Sequence, residues 1–211
     1  MNKRVMLGIL FFGTLWGVSE VFLGEALYGA HLRWASVPLC VVALVVLTLA
    51  RVHFPRPGVA TAIAGCAALY KAVAMAATLI DTPFYACHLL GIVALGAAYD
   101  LVFSLLGRRH PAVGAVAATY LGHIAFAVLI AYVFRYQPWV RGGLAKVVRY
   151  VGINGTATAV LGGVLVPLTL RLGAALRQRR WTSLAFESPV PAGVAGGLVA
   201  GLWTIGLLVS V

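Results

Sequence analysis

From Gly58 to Ile80 the chain reads GVATAIAGCAALYKAVAMAATLI, with Lys71 as its one charged side chain. As a helix this stretch is about 35 Å long, enough to cross a hydrocarbon core of about 30 Å. Its apolar residues run on without alternating with polar ones, which predicts a buried or lipid-facing helix and not a barrel strand. Pro55, Arg56 and Pro57 close it on one side and Asp81 and Pro83 on the other. Cutting the rest of the sequence at charge clusters and prolines gives further segments of the same kind. They are Val5 to Tyr28, Ala35 to Ala50, Pro83 to Leu106, Pro111 to Phe134, Val151 to Leu170 and Pro191 to Val211. The second is short for a span, and its start can move toward Trp34. The expected fold is therefore all-α: a polytopic transmembrane helix bundle of six core spans plus a seventh, C-terminal one.

The composition agrees. Of 211 residues, 62% are hydrophobic and 10% charged, with a mean hydropathy of +0.99, whereas soluble domains carry roughly 25% charged residues. So few charges cannot cover that much apolar surface, which excludes a soluble globule. A net charge of +11, divided among loop clusters between membrane-length runs, excludes a nucleic-acid binder and a disordered tail. Cys40, Cys66 and Cys87 lie singly in apolar runs without Cys-x-x-Cys spacing, so they read as small packing residues and not as a disulfide scaffold or a zinc site. Lys3 and Arg4 before an apolar run resemble the start of a signal peptide, but the run continues past Glu20 without a small-x-small cleavage site, so an uncleaved first span is expected.

Orientation is read from the basic residues of the short connections. With a cytoplasmic N-terminus, Lys3, Arg4, Arg51, Arg56, Arg108, Arg109, Arg171, Arg177, Arg179 and Arg180 fall inside, and Arg33, Arg135, Arg141, Lys146 and Arg149 outside. The excess predicts a multi-pass protein of the cytoplasmic (inner) membrane with its N-terminus in the cytoplasm. Four of the outer charges share one connection, Arg135 to Tyr150, RYQPWVRGGLAKVVRY. It reads either as an interfacial helix whose basic residues meet lipid phosphates, with Trp139 and Tyr150 at the headgroups, or as a basic lid over an anionic ligand. Pro189 and Pro191 set off the last span, which divides the chain into a bundle over 1–172, a basic cytoplasmic linker over 173–190 and a glycine-ladder helix over 191–211.

Ionisable residues inside a membrane are costly and need a partner, a wet cavity or a function. At 1.5 Å per residue, Glu20, Lys71 and His123 lie roughly 22, 20 and 18 Å above the cytoplasmic ends of their helices. His88 lies roughly 8 Å below the outer end of its own, so these four residues share one layer. Asp100 lies near the cytoplasmic end and outside it. The layer reads as a ligand pocket open to the outside, with Tyr70, Tyr85, Tyr120 and Asn154 as further lining. Its structural alternative is a Glu20–Lys71 ion pair with two histidines bonded to backbone carbonyls. Glu20, His88 and His123 form a chemically sensible metal triad, but no His-Glu-x-x-His spacing accompanies them, and no metal or other cofactor is assigned. No Gly-x-Ser-x-Gly element or nucleophile beside a base is present, so no enzyme activity is expected. The chain has no Walker motif, and any use of ATP belongs to a partner. Gly13 and Gly17 in the first span, and Gly193, Gly197 and Gly201 in the last, are four-residue steps suited to close helix contacts, within the bundle or with another subunit.

Six core spans, a small-xxx-small pair at Gly13 and Gly17, an outward polar layer and no nucleotide motif resemble the substrate-binding S components of energy-coupling factor transporters. The likeness is architectural and covers residues 1–172, with the glycine pair standing where that family often has alanines. It implies that Gly13 and Gly17 contact a membrane coupling subunit joined to ATPases, and that Glu20, Lys71, His88 and His123 capture a small solute from outside. The chain departs from the family in its seventh span and in lacking a substrate-specific motif. The outward basic residues favour an anionic or zwitterionic solute. A non-transporting membrane scaffold or assembly subunit, with structural intramembrane charges and glycine ladders that bind partner helices, is the reading from a different class.

Overall fold

The apolar runs become helices because a chain without water around it must bond its own backbone groups, and a helix does so within one segment. In a computed structural model, residues 2–32, 34–77, 82–106, 109–178 and 197–204 are described, with the side chains of 77, 82–86 and 176–178 left aside. Among the described residues every regular element is helical: α1 (Lys3–Gly29), α2 (Ser36–His53), α3 (Val59–Ala77), α4 (Thr82–Leu105), α5 (Pro111–Val128), α6 (Gln137–Val140), α7 (Gly143–Tyr150) and α8 (Thr156–Gln178). Asn2 caps α1 by accepting from Arg4 N at 3.3 Å, and Pro111 opens α5 where a missing N–H costs nothing. Among the described residues, six helical stretches are long and apolar enough to cross a membrane. The short second span is resolved by a later boundary than expected, since α2 runs to His53.

The largest difference from the sequence reading lies in the Arg135–Tyr150 connection. Its first part holds the short helix α6 and a turn at 141–142. From Gly143 the chain is helical without a break, through a π-helical turn at Val151–Gly155, into α8. The 33-residue stretch Gly143–Ala175 is about 50 Å long, so about 20 Å of it exceeds the hydrocarbon core. The basic α7 is therefore the N-terminal end of the sixth span. A second π turn, Leu129–Val133, ends α5 beside it. Extra residues in a helical turn displace the side chains that follow, and such turns gather at functional sites.

The six long helices close into a ring in the order α1, α3, α4, α5, α8, α2, each packed on the next and α2 packed back on α1. Ile63, Ala64 and Ala67 of α3, Leu44 and Leu47 of α2, Tyr99 of α4 and Ala118 of α5 fill its interior. The outer face of α8 presents Val160, Val164, Leu168 and Leu172 at helical spacing, all exposed, as a lipid-facing stripe. The helices of the ring are brought close by glycines. A Cβ on Gly13 would lie 2.5 Å from that of Cys66, and one on Gly17 2.7 Å from that of Tyr70, so α1 and α3 touch nearly backbone to backbone. Gly13 and Gly17 thus face α3 of the same chain. Most of the expected seventh span, Gly193 included, lies outside the described residues; its described part, 197–204, is helical. It rests against α1 and α3 through Trp203 Nε1, which donates to Thr14 Oγ1 at 3.1 Å, and Leu202 O, which accepts from Tyr70 OH at 2.8 Å. Gly197 and Gly201 meet nothing within 4 Å among the described residues.

At the Arg51 end of the ring one buried carboxylate ties three helices. Asp100 Oδ2 accepts from Thr61 N at 3.1 Å and Thr61 Oγ1 at 3.0 Å, and Oδ1 faces Arg51 Nη1 at 3.8 Å. Arg51 also donates to Phe103 O at 2.7 Å. These bonds account for Asp100 as a helix fastener away from the polar layer.

Candidate functional site

At the opposite end of the ring, α1, α2, α4, α5 and α7 line a partly open cavity of about 70 Å³. One water needs about 10–15 Å³ of such space, so the cavity holds several. Its polar wall is made by Glu20 and Tyr28 of α1, Ser36 and Cys40 of α2, His88 of α4, His123 of α5 and Tyr150 of α7, with Trp16 and Phe126 among the apolar part.

Glu20 is held from two directions. Trp16, one turn earlier on α1, donates its indole Nε1 to Oε1 at 3.2 Å, and Lys71 of α3 donates Nζ to Oε2 at 3.1 Å and to the Glu20 backbone oxygen at 3.3 Å. Both charged side chains are less than a tenth exposed. Glu20 belongs to the cavity wall, and Lys71 stands behind it, away from the lining. A buried pair of this kind is costly to desolvate and costlier to break by removing one member.

The two histidines differ. His88 Nε2 shares a hydrogen bond of 2.9 Å with Tyr28 OH, and the two rings meet edge to face at 5.3 Å. His123, only 3% exposed, bonds through Nδ1 to Thr119 O at 2.8 Å, one turn back on α5. A carbonyl oxygen only accepts, so Nδ1 carries the proton and the neutral ring presents an unprotonated Nε2. That Nε2 is buried and has no hydrogen-bond partner among the described residues. Buried polar atoms are almost always satisfied, so an orphaned Nε2 on a residue that lines the cavity stands out and would be satisfied by a donor brought against it.

α7 closes the site. Tyr150 packs against His123 at 5.4 Å between ring centroids, against Phe126 at 5.5 Å and against Trp139 of α6 at 5.1 Å. Lys146 lies 5.2 Å from the Trp139 ring and donates to Pro138 O at 2.8 Å, which ties α7 to α6. Arg141 and Arg149 are exposed, and no Lys or Arg is among the described residues of the lining. The lid over the cavity is therefore aromatic, with its basic groups turned outward.

Of the residues the sequence singles out, Glu20, His88 and His123 share the cavity. Lys71 supports Glu20 from outside it. Tyr70 points to the C-terminal segment. Tyr120 OH pairs with Thr156 Oγ1 of α8 at 2.7 Å, and Asn154 Nδ2 donates to Ser36 Oγ at 2.8 Å, which anchors the π turn of span six to the mouth of α2. The Tyr85 side chain lies outside the described residues. Among the described residues no three His, Cys, Asp or Glu side chains converge as metal ligands. Sequence reasoning missed Tyr28, Ser36, Cys40 and Tyr150 as lining. Tyr28 and Ser36 flank the first connection, where the height arithmetic that located Glu20 and His88 also applies. Comparison with family models, with curated proteins and with solved structures matches none of them to this chain.

Proposed function

We propose that this integral membrane protein is a small-solute-binding transport subunit, similar in role to an S component, that works with an ATP-driven partner. The observation that carries the reading is the cavity at the Tyr28 end of the ring, walled by polar groups from five helices and lined by His123, whose buried Nε2 has no partner among the described residues. A purely structural Glu20–Lys71 pair needs neither the cavity nor the two histidines beside it. With the N-terminus in the cytoplasm of a bacterial-type inner membrane, as the basic residues favour, the cavity faces outward and captures solute from outside. With no Lys or Arg among the described lining residues, the preference turns from an anionic solute toward one with a positive or hydrogen-bond-donating part. Membrane lipids surround the exposed apolar stripe of α8, and the basic end of α7 reaches their phosphates. A coupling subunit and its ATPases supply the energy. The chain itself carries out no covalent chemistry.

One observation favours the alternative, a scaffold or assembly subunit. Gly13 and Gly17 serve contact within the chain, and Glu20 already has protein partners, so packing alone explains these residues. Native mass spectrometry of the protein released gently from its own membranes, with extraction of bound small molecules, separates the two. The transport reading expects a stoichiometric solute together with a coupling subunit and ATPase. An empty protein held in a fixed membrane complex supports the scaffold and refutes transport.

A further inference from the structure

We infer that the cavity takes the positively charged amine of a small solute, with His123 Nε2 and Glu20 as its acceptors. The inference rests on the solute-binding reading and names the chemistry of its ligand. Three observations converge on it. The first is the tautomer of His123: Thr119 O fixes the proton on Nδ1, so Nε2 offers a lone pair and can be satisfied only by a donor. The second is charge. Glu20 is the one carboxylate of the wall, and no Lys or Arg is among the described lining residues. Trp16 and Lys71 each use one of its oxygens, and a carboxylate with about four lone-pair sites retains acceptor capacity toward the cavity. Lys71 offsets the Glu20 charge from behind, but a carboxylate ligand would meet two acceptors and, among the described lining residues, no cation. The third is the aromatic enclosure. Trp16, Tyr28, Phe126 and Tyr150 supply π faces around the space, a surrounding that attracts ammonium groups and becomes more effective as water is excluded.

Size limits the ligand further. At about 10–15 Å³ per water-sized group, a cavity of about 70 Å³ accepts a solute or head group of roughly five to seven non-hydrogen atoms. Lys71 does not fill this role from the protein side, because its ammonium bonds to Glu20 from behind and lies outside the lining.

The test uses the purified full-length protein and four probes matched in size or chosen for contrast: butylammonium, butanol, butyrate and Ni²⁺. Butylammonium is expected to raise the unfolding temperature with increasing concentration, as a ligand of the folded state must, and butanol, butyrate and Ni²⁺ are not. His123→Phe, which removes the acceptor, should weaken butylammonium by roughly ten- to a hundred-fold, the value of a charge-assisted hydrogen bond. His123→Gln, which retains an acceptor oxygen near Nε2, should restore most of the binding. A measurement on the unaltered protein guards against loss of fold in the variants. With ¹⁵N-labelled histidine, one Nε2 resonance should be of the unprotonated type and should move on adding butylammonium. Stabilisation by butyrate, butanol or Ni²⁺ in place of the amine, an amine shift that survives in His123→Phe, or a protonated Nε2 in the free protein overturns the inference and leaves solute binding intact. No response to any probe, together with no solute extracted from native membranes, overturns both.

Discussion

The cost of a buried charge makes Glu20 and Lys71 a sensitive point of the molecule. Removing one member leaves the other without compensation in a low-dielectric interior, so Glu20→Gln and Lys71→Met should each lower stability by roughly 3–5 kcal/mol. Replacing both by methionine should recover most of that loss, because an apolar pair of similar volume does not need to be desolvated. Thermal unfolding of the three variants in detergent checks the pattern, and additive losses would contradict a direct pair. Asp100→Asn probes the other end. It keeps an oxygen for Thr61 N but removes the charge facing Arg51, and should cost about 1–3 kcal/mol by leaving a less-compensated guanidinium and a poorer acceptor for Thr61. The positions of these groups along their helices were legible from residue counting alone, because helical rise is constant. Their direction around the helix was not. In a lipid-embedded bundle both faces of a helix are apolar, so the periodicity that orients a soluble helix is nearly absent. Tyr70 and Tyr120 could therefore be placed at the right height and still point away from the cavity.

Helix boundaries show a related limit at the scale of the element. Prolines and charges marked the ends of most spans, since both end helices or leave the membrane, but α7 carries two basic residues, Lys146 and Arg149, and still continues into α8. The continuity arises because its charges lie on a part of the rod longer than the hydrocarbon, where headgroups solvate them. How closely the helices approach follows from individual glycines, and these were legible as residues but not as contacts. Gly13 and Gly65 are each one small residue in an apolar helix, yet a Cβ on Gly13 would meet Cys66 and Ile63 O within about 3 Å, whereas Gly65 has nothing within 4 Å. The two should respond in opposite directions. Gly13→Ala should destabilise by roughly 1–3 kcal/mol through forced separation of α1 and α3. Gly65→Ala should stabilise by up to about 1 kcal/mol through helix propensity alone. Unfolding temperatures measured side by side test this, and equal effects would mean that α1 and α3 are not in close contact at Gly13.

For the whole molecule, the decisive property is which side of the membrane the cavity meets. The closed ring places Tyr28, Ser36, His123 and Tyr150 together at one end and Arg51 and Asp100 at the other, so a single orientation decides which side of the membrane the cavity faces. Basic residues are the physical signal for that orientation, because positively charged segments resist translocation during insertion, and the proposed orientation has the Arg51 end in the cytoplasm. Two exposed positions report on it without touching the cavity or the ring interior: Arg141, at the turn between α6 and α7, and His110, just before α5. With Cys40, Cys66 and Cys87 first replaced by alanine, Arg141→Cys should react in intact cells with a membrane-impermeant maleimide. His110→Cys should react only after the membrane is opened. If the pattern is reversed, the cavity opens to the cytoplasm and capture from outside is wrong, although the amine-binding chemistry of the cavity would stand. If both positions react in intact cells, the ring does not separate two compartments as six spans require. The labelling therefore tests the direction of the proposed capture independently of ligand identity, because it reads only which side of the membrane the cavity faces.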